Sequence, residues 1–285
     1  MSIVIDTKSS AELLYVRHLL KERSALVLNE AKDYLLEARL TPLAKTEGYD
    51  SYAHLLRALM TLPYGALHRK VVEAMTTNET TFFRDIHPFD ALRTSIIPEL
   101  LLRRSSERKL NIYCGASSSG QEPYSIAMLL HEHFPVLATW NVSFLATDLS
   151  EKMLERCREG KYSQLEVNRG LPPHLLDKYF TRHGLDWVLA DVIRNMVTFK
   201  QLNLAAAWPP LPKMDLIFLR NVMIYFQVDT KKEVFERIYR VLRPDGYLFL
   251  GCAESTMSLD NRYEQFQVGK TFCYRPCTAK LEAAK

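Results

Sequence analysis

Residues 112–130, IYCGASSSGQEPYSIAMLL, carry the chain from an apolar run through a Gly/Ser-rich loop into a helical pattern. Leu110–Cys114 predicts a strand, and Glu122–Phe134 predicts a helix with Ile126, Leu129, Leu130 and Phe134 on one face. Gly115 lets the backbone turn sharply and come close to a ligand, while Pro123 suits a first helical turn, where its missing amide hydrogen is not needed. In parallel α/β folds a nucleotide-binding loop stands at this position. The usual GxGxxG spacing is missing, as is the lysine of a GxxxxGK[ST] phosphate loop. Taken alone, the loop reads equally as punctuation after a strand.

The strand–helix alternation continues downstream. Val142–Thr147 predicts a second strand, followed by a helix that Ser150 can cap and Gly160 can end. Met196–Leu202 and Met214–Leu219 predict a third and a fourth strand. A helix capped by Asp229 carries Val234, Ile238 and Val241, the Pro244-Asp245-Gly246 turn stops it, and Tyr247–Cys252 predicts a fifth strand. Tyr263–Val268 and Thr271–Tyr274, joined by Gly269-Lys270, predict a hairpin. The fold class is therefore α/β, a mainly parallel sheet with helices on both faces and a C-terminal antiparallel hairpin, which binds ligands at the carboxyl ends of its strands. Residues 181–195, TRHGLDWVLADVIRN, interrupt this grammar. There Leu185, Trp187 and Leu189 alternate with Asp186, Val188 and Ala190, which predicts a small antiparallel β insertion, a bare surface hairpin or a docking surface.

Upstream of residue 77 the periodicity is helical. Leu13, Leu14, Val16, Leu19 and Leu20 mark one amphipathic segment, and Tyr34, Leu35, Leu36, Ala38 and Leu40 mark a second that Asn29 can cap and that Pro42 should kink or end. Tyr52, Leu55, Leu56 and Leu59 mark a third after Gly48, and a fourth runs from about Tyr64 to Met75. Residues 1–77 are thus expected to form an all-helical domain and linker, and 78–285 the α/β domain.

Composition sets the class. In 285 residues, 47% hydrophobic and 25% charged content supports a packed core and excludes a disordered chain. A net charge of +4, from 37 basic and 33 acidic residues, is too balanced to announce a nucleic-acid or membrane-surface protein. Five scattered cysteines, Cys114, Cys157, Cys252, Cys273 and Cys277, argue against a disulfide framework, and no second Cys/His pair at zinc spacing accompanies the last two. No metal is expected. The start MSIVIDTKSSAELL has no leader pattern, and no apolar run reaches membrane-spanning length. A cytoplasmic, monomeric protein is the expectation.

Polar residues gather where the strands end. Glu122, at the helix start after the loop, would repel a pyrophosphate and suits a ligand with a ribose and a cationic group. Asp148 can accept both ribose hydroxyls, although it stands 33 residues after Gly115, where a dinucleotide fingerprint expects about 20. It also reads as a cap or turn carboxylate. Asn203, past the third strand, and Arg220-Asn221, past the fourth, occupy ligand-facing positions, and an asparagine offers both donor and acceptor to an adenine edge.

On these residues the chain resembles the bacterial chemotaxis receptor methyltransferases of the CheR type. The resemblance spans about residues 10–275 and rests on the ordered blocks TTNETTFFRD (76–85), GASSSGQEPYSIAM (115–128), ATDLS (146–150), LNL (202–204), LRNVMIYF (219–226) and LRPDGYLFLGCAES (242–255). It implies a Rossmann-like S-adenosylmethionine-dependent methyltransferase domain behind a helical domain. The implied reaction esterifies glutamate side chains on chemoreceptor cytoplasmic helices, with S-adenosylhomocysteine as the other product. By position, cofactor contacts would fall on Asn78, Thr80, Arg84, Gly115, Glu122, Asp148, Asn203, Leu204, Arg220 and Asn221, and Tyr225 would stand beside the reacting methyl. Arg84 would bind the cofactor carboxylate or the incoming glutamate, or serve only as an ion-pairing link. A glutamate is already ionised near pH 7, so it needs no general base, and alignment with desolvation can supply about 7–11 kcal/mol. The segment RNVMIYF replaces the Asp/Asn-Pro-Pro-aromatic element of nitrogen-methylating enzymes, which argues against nucleic-acid substrates.

Two regions depart from the family. EARLTPLAK (37–45) supplies only Arg39 and Lys45 where some members carry a basic cluster for the acidic receptor bundle, and both read equally as solvated helix charges. The hairpin in 181–195 is shorter than in members that grip a receptor's C-terminal tethering peptide, so independence from that tether is expected.

Overall fold

The computed structural model describes residues 11–277. The amino-terminal residues that bear on the leader reading lie largely outside that range. The described residues fall into two compact units: one comprises residues 11–77 with 225–230, the other 78–224 with 231–277.

The first unit contains helices α1 (Ala11–Ser24), α2 (Asp33–Thr46), α3 (Tyr52–Thr61) and α4 (Ala66–Met75). Its core includes Val16, Leu20, Leu36, Leu40, Leu55 and Leu59 of the marked positions, with Val71 of α4, whereas Leu14, Tyr34 and Ala38, also marked, are exposed. Ser51 caps α3 by accepting from the His54 amide. Two expectations need correction. Asn29 precedes a 3-10 turn at Glu30–Lys32 and makes no side-chain cap bond. Pro42 lies inside α2 and does not end it. Ala38, whose carbonyl loses its usual amide partner, is exposed like Pro42, so solvent can serve that oxygen.

The second unit is built on a seven-stranded sheet. Its strands are β1 (Lys109–Gly115), β2 (Asn141–Asp148), β6 (Thr198–Gln201), β7 (Met214–Leu219), β8 (Leu242–Leu250), β9 (Tyr263–Val268) and β10 (Thr271–Pro276), in the order β6-β2-β1-β7-β8-β10-β9. The first five are parallel neighbours, and the β9–β10 hairpin adds antiparallel strands at one edge. Strands β1 and β7 are mostly apolar and almost wholly buried, as expected where helices cover both faces of a parallel sheet. Around the sheet run α5 (His87–Ala91), α6 (Ile97–Arg103), α7 (Gln121–His133), α8 (Glu151–Glu159), α9 (Gln164–Val167), α10 (Pro173–Tyr179), α11 (Asp191–Arg194) and α12 (Val228–Val241). Ser150 caps α8 and left-handed Gly160 ends it, as expected.

The Pro244-Asp245-Gly246 stretch does not form a separate turn, because β8 already begins at Leu242 and runs through it. An irregularity in the register against β7 absorbs the proline, and a Cβ on Gly246 would meet the Met214 carbonyl at 3.0 Å. The insertion also differs in extent. β4 (Phe180–His183) and β5 (Asp186–Leu189) form the expected hairpin, β3 (Lys161–Ser163) pairs with β5 to complete a second sheet, and residues 191–194 are helical. Phe82, fully buried, packs edge-on against Tyr162 and Phe180 of this small sheet. Gly170, at φ +84°, approaches so closely that a Cβ there would lie 2.1 Å from the Phe82 carbonyl oxygen.

Candidate cofactor site

Strands β2, β1 and β7 are adjacent, and their carboxyl ends bring Asp148, Gly115 and Arg220-Asn221 to one rim of the sheet. Gly115 is tightly enclosed there, since a Cβ would stand 2.7 Å from Leu219 Cδ1 and 3.4 Å from Leu204 Cδ2. The loop after β1 is pinned to β2: the Ser117 amide donates to the Thr147 carbonyl at 2.9 Å and the Ser118 amide to Asp148 Oδ2 at 2.8 Å. Asp148 Oδ1 accepts from the Ser150 amide at 2.9 Å. Ser118 Oγ donates to the Asn78 carbonyl at 2.9 Å, which ties the 78–85 segment to the same loop.

Arg220 is the electrostatic centre of the rim. Its side chain is 1% exposed, pairs with Glu122 of α7 through Nη1, and donates through Nη2 to Asp85 at 2.7 Å and to the Arg84 carbonyl at 3.1 Å. Burial pulls against the charged guanidinium, yet Glu122 and Asp85 outweigh it and raise the Arg220 pKa. Its Nε remains buried with no hydrogen-bond partner. Beside it a cavity of about 300 Å³ is lined by Asp85, His87, Arg220, Gly251, Phe272 and Tyr274, among others.

The remaining candidates divide. Leu204 is buried near Gly115, and half-buried Asn203 accepts from the Ala205 amide through Oδ1 at 2.9 Å. Thr80 and Arg84 lie on the 78–85 segment, where Arg84 Nη1 turns back to the Glu79 carbonyl at 3.2 Å. Tyr225 ends a 3-10 turn, Met223–Tyr225, and the division of the chain assigns it to the first unit. Also in the first unit, Arg39 donates to the Met75 carbonyl at 2.6 Å, the Thr76 carbonyl at 3.1 Å and Thr77 Oγ1 at 3.0 Å. It thus satisfies carbonyls at the α4 C-terminus, where a cation also suits the helix dipole. Lys45 is exposed.

Two participants escaped the residue-by-residue reading, Asp85 and Glu254. Asp85, at φ +63°, is the second acid on Arg220. Glu254 is buried against the chain that follows Arg220. Both stand inside quoted blocks, but nothing in local spacing marks an acid whose partners lie 135 and 33 residues away.

These residues fit S-adenosylmethionine. An acid and an arginine held as a pair match a zwitterionic amino-acid end, the unpartnered Arg220 Nε leaves a buried donor, and Asp148 places a carboxylate, the group that accepts hydroxyl donors, at the end of β2. The arrangement has the form of a Rossmann-like methyltransferase.

Comparison with known proteins narrows that class. Residues 78–272 match the family model described as CheR methyltransferase, SAM binding domain, and residues 11–76 match CheR methyltransferase, all-alpha domain. The chain is 38% identical over 263 residues to chemotaxis protein methyltransferase Cher2 of Pseudomonas putida, covering 91% of this chain and 95% of that protein. It is likewise 38% identical to chemotaxis protein methyltransferase 1 of Pseudomonas aeruginosa, over 94% of this chain and 98% of that one. A third relative, chemotaxis protein methyltransferase 1 of Vibrio cholerae, is 38% identical over 90% and 93%. The chain belongs to the CheR methyltransferase family.

Proposed function

We propose that this protein transfers the methyl group of S-adenosylmethionine to glutamate side chains on the cytoplasmic helices of chemoreceptors, giving glutamyl methyl esters for chemotaxis adaptation. The observation that carries the reading is the convergence of Asp148, Gly115, Glu122 and Arg220-Asn221 on adjacent strand ends, in a chain whose two domains both match this family. The names of the relatives supply the chemotaxis context.

In this reading S-adenosylmethionine, when bound, supplies an electrophilic methyl on a sulfonium sulfur. Asp148 accepts the ribose hydroxyls, Asn203 and Leu204 border the adenine, and Glu122 with Arg220 receives the amino-acid end. Asn78, Thr80, Arg84 and Asn221 complete the cofactor contacts. Arg84 also positions the incoming glutamate, and Tyr225 orients the reacting methyl. The glutamate arrives ionised, so the chain needs to align it and strip its water but not to deprotonate it. Lys45, and Arg39 to the extent that its internal bonds allow, meet acidic receptor residues. The short β4–β5 connection makes the enzyme independent of a receptor C-terminal tether.

Incubation with methyl-labelled S-adenosylmethionine and receptor-bearing membranes tests this. Label should appear on the receptor and be released as methanol by alkali. Tight cofactor binding without transfer would instead indicate a docking module, and label on a different protein would reassign the substrate.

A further inference from the structure

Where β7 ends, the chain turns abruptly. Asn221 adopts a left-handed conformation, φ +58°, which asparagine enters more readily than other non-glycine residues. The amides of Asn221, Val222 and Met223 consequently converge on one point. Consecutive amides around a left-handed residue form a concavity that attracts an anion.

In this protein the anion is internal. Glu254, 8% exposed, places Oε2 at 2.7 Å from the Asn221 amide and at 2.7 Å from the Gly251 amide. Its Oε1 lies 2.8 Å from the Val222 amide and 2.7 Å from the Met223 amide. Four backbone donors thus share one carboxylate. Gly251 makes room for the arrangement, because a Cβ there would stand 2.7 Å from Glu254 Oε2 and 2.8 Å from Asn221 Nδ2. The Glu254 amide closes the loop on the Gly251 carbonyl at 2.9 Å.

We propose that Glu254 is a positioning residue for cofactor binding: its carboxylate clamps the main chain of Asn221–Met223 and thereby sets where Arg220 and Asn221 meet S-adenosylmethionine. This rests on reading Arg220-Asn221 as cofactor contacts. No neutral side chain reproduces the clamp, since a glutamine has one acceptor oxygen and would turn an NH2 group toward two of the four amides. An aspartate is shorter by a methylene and cannot reach both pairs.

Hydrogen exchange on the wild-type protein is the first measurement. The Asn221, Val222, Met223 and Gly251 amides should be protected like those of β7, although among the described residues only Glu254 accepts from them; rapid exchange at these positions would overturn the proposal. The second is calorimetry with S-adenosylhomocysteine on Glu254→Gln, for which Kd should rise by about tenfold or more, with KM for S-adenosylmethionine rising in parallel. Tyr247→Phe is the control for mere destabilisation. It deletes the hydrogen bond from this β8 phenol to Glu99 of α6, and should lower Tm while leaving Kd unchanged. Folded Glu254→Gln with wild-type Kd would sink the idea. If that variant does not fold, Gly251→Ala, which wedges the same clamp open and keeps the charge, must show the weaker binding instead. Wild-type protein that fails to bind S-adenosylhomocysteine would refute the methyltransferase reading itself and leave the clamp to the exchange data.

Discussion

Asp148 accepts the backbone N–H groups of Ser118 and Ser150, one on each carboxylate oxygen. The same bonds hold its orientation before a ligand arrives, which lowers the ordering cost of binding. Asp148→Ala should weaken S-adenosylhomocysteine binding by about 1 to 3 kcal/mol, measured by calorimetry on the folded variant. If Tyr225 acts as proposed, Tyr225→Phe should divide differently, lowering kcat with little change in cofactor Kd, because a group that orients the reacting methyl acts chiefly in the transition state. Equal kinetics would reduce Tyr225 to packing. At this scale the sequence was informative about placement, since Asp148 and Arg220 do stand at the ends of adjacent parallel strands. It was silent on Arg220's second acid: Asp85 reaches it only because the 78–85 segment folds back over the loop after β1.

At the scale of elements, the β4–β5 hairpin is closed by only Gly184 and Leu185, with Gly184 at φ +62° as a two-residue turn requires. So short a connection leaves no loop to wrap an added peptide. Calorimetry with C-terminal receptor peptides should therefore give no micromolar binding, and a clear micromolar isotherm would show that the small sheet does capture a tether. The hairpin was legible because Leu185, Trp187 and Leu189 alternate. Its third strand was not, since Lys161–Ser163 is too short to show any period. Pro42 and Pro244 misled for one reason: proline's local penalty was read without knowing its setting, an exposed helix face for the first and a strand irregularity for the second.

Across the whole second unit, the rim opposite the cofactor face is tied by charge. Arg104, with a side chain 6% exposed, donates to Asp215 at 2.6 Å and to Asp245 at 2.6 Å, while Asp215 also accepts the Asn111 amide at 2.8 Å. This joins the end of α6 to β1, β7 and β8 over separations of more than 100 residues, beyond the reach of any sequence period. Hydrogen bonding from Arg104 holds the Asp245 carboxyl below its usual pKa. A depressed carboxyl stabilises the fold above its unfolded pKa of about 3.9, and the gain is lost as pH falls through the lower folded value. Asp245→Asn should therefore be less stable near neutrality, by about 1 kcal/mol given that Asp245 is 39% exposed, and flatter in urea midpoint below about pH 4. An unchanged acid limb would show that the pair contributes nothing there. The contact between Gly170 and the Phe82 carbonyl has a mechanical consequence. With a fully buried ring wedged among Tyr162 and Phe180 and its backbone flush against residue 170, Phe82 couples the 78–85 segment to the small sheet. Swinging it aside would expose a ring whose burial is worth about 2 to 3 kcal/mol, so the segment and the small sheet move together except in a minor population on the order of 1%.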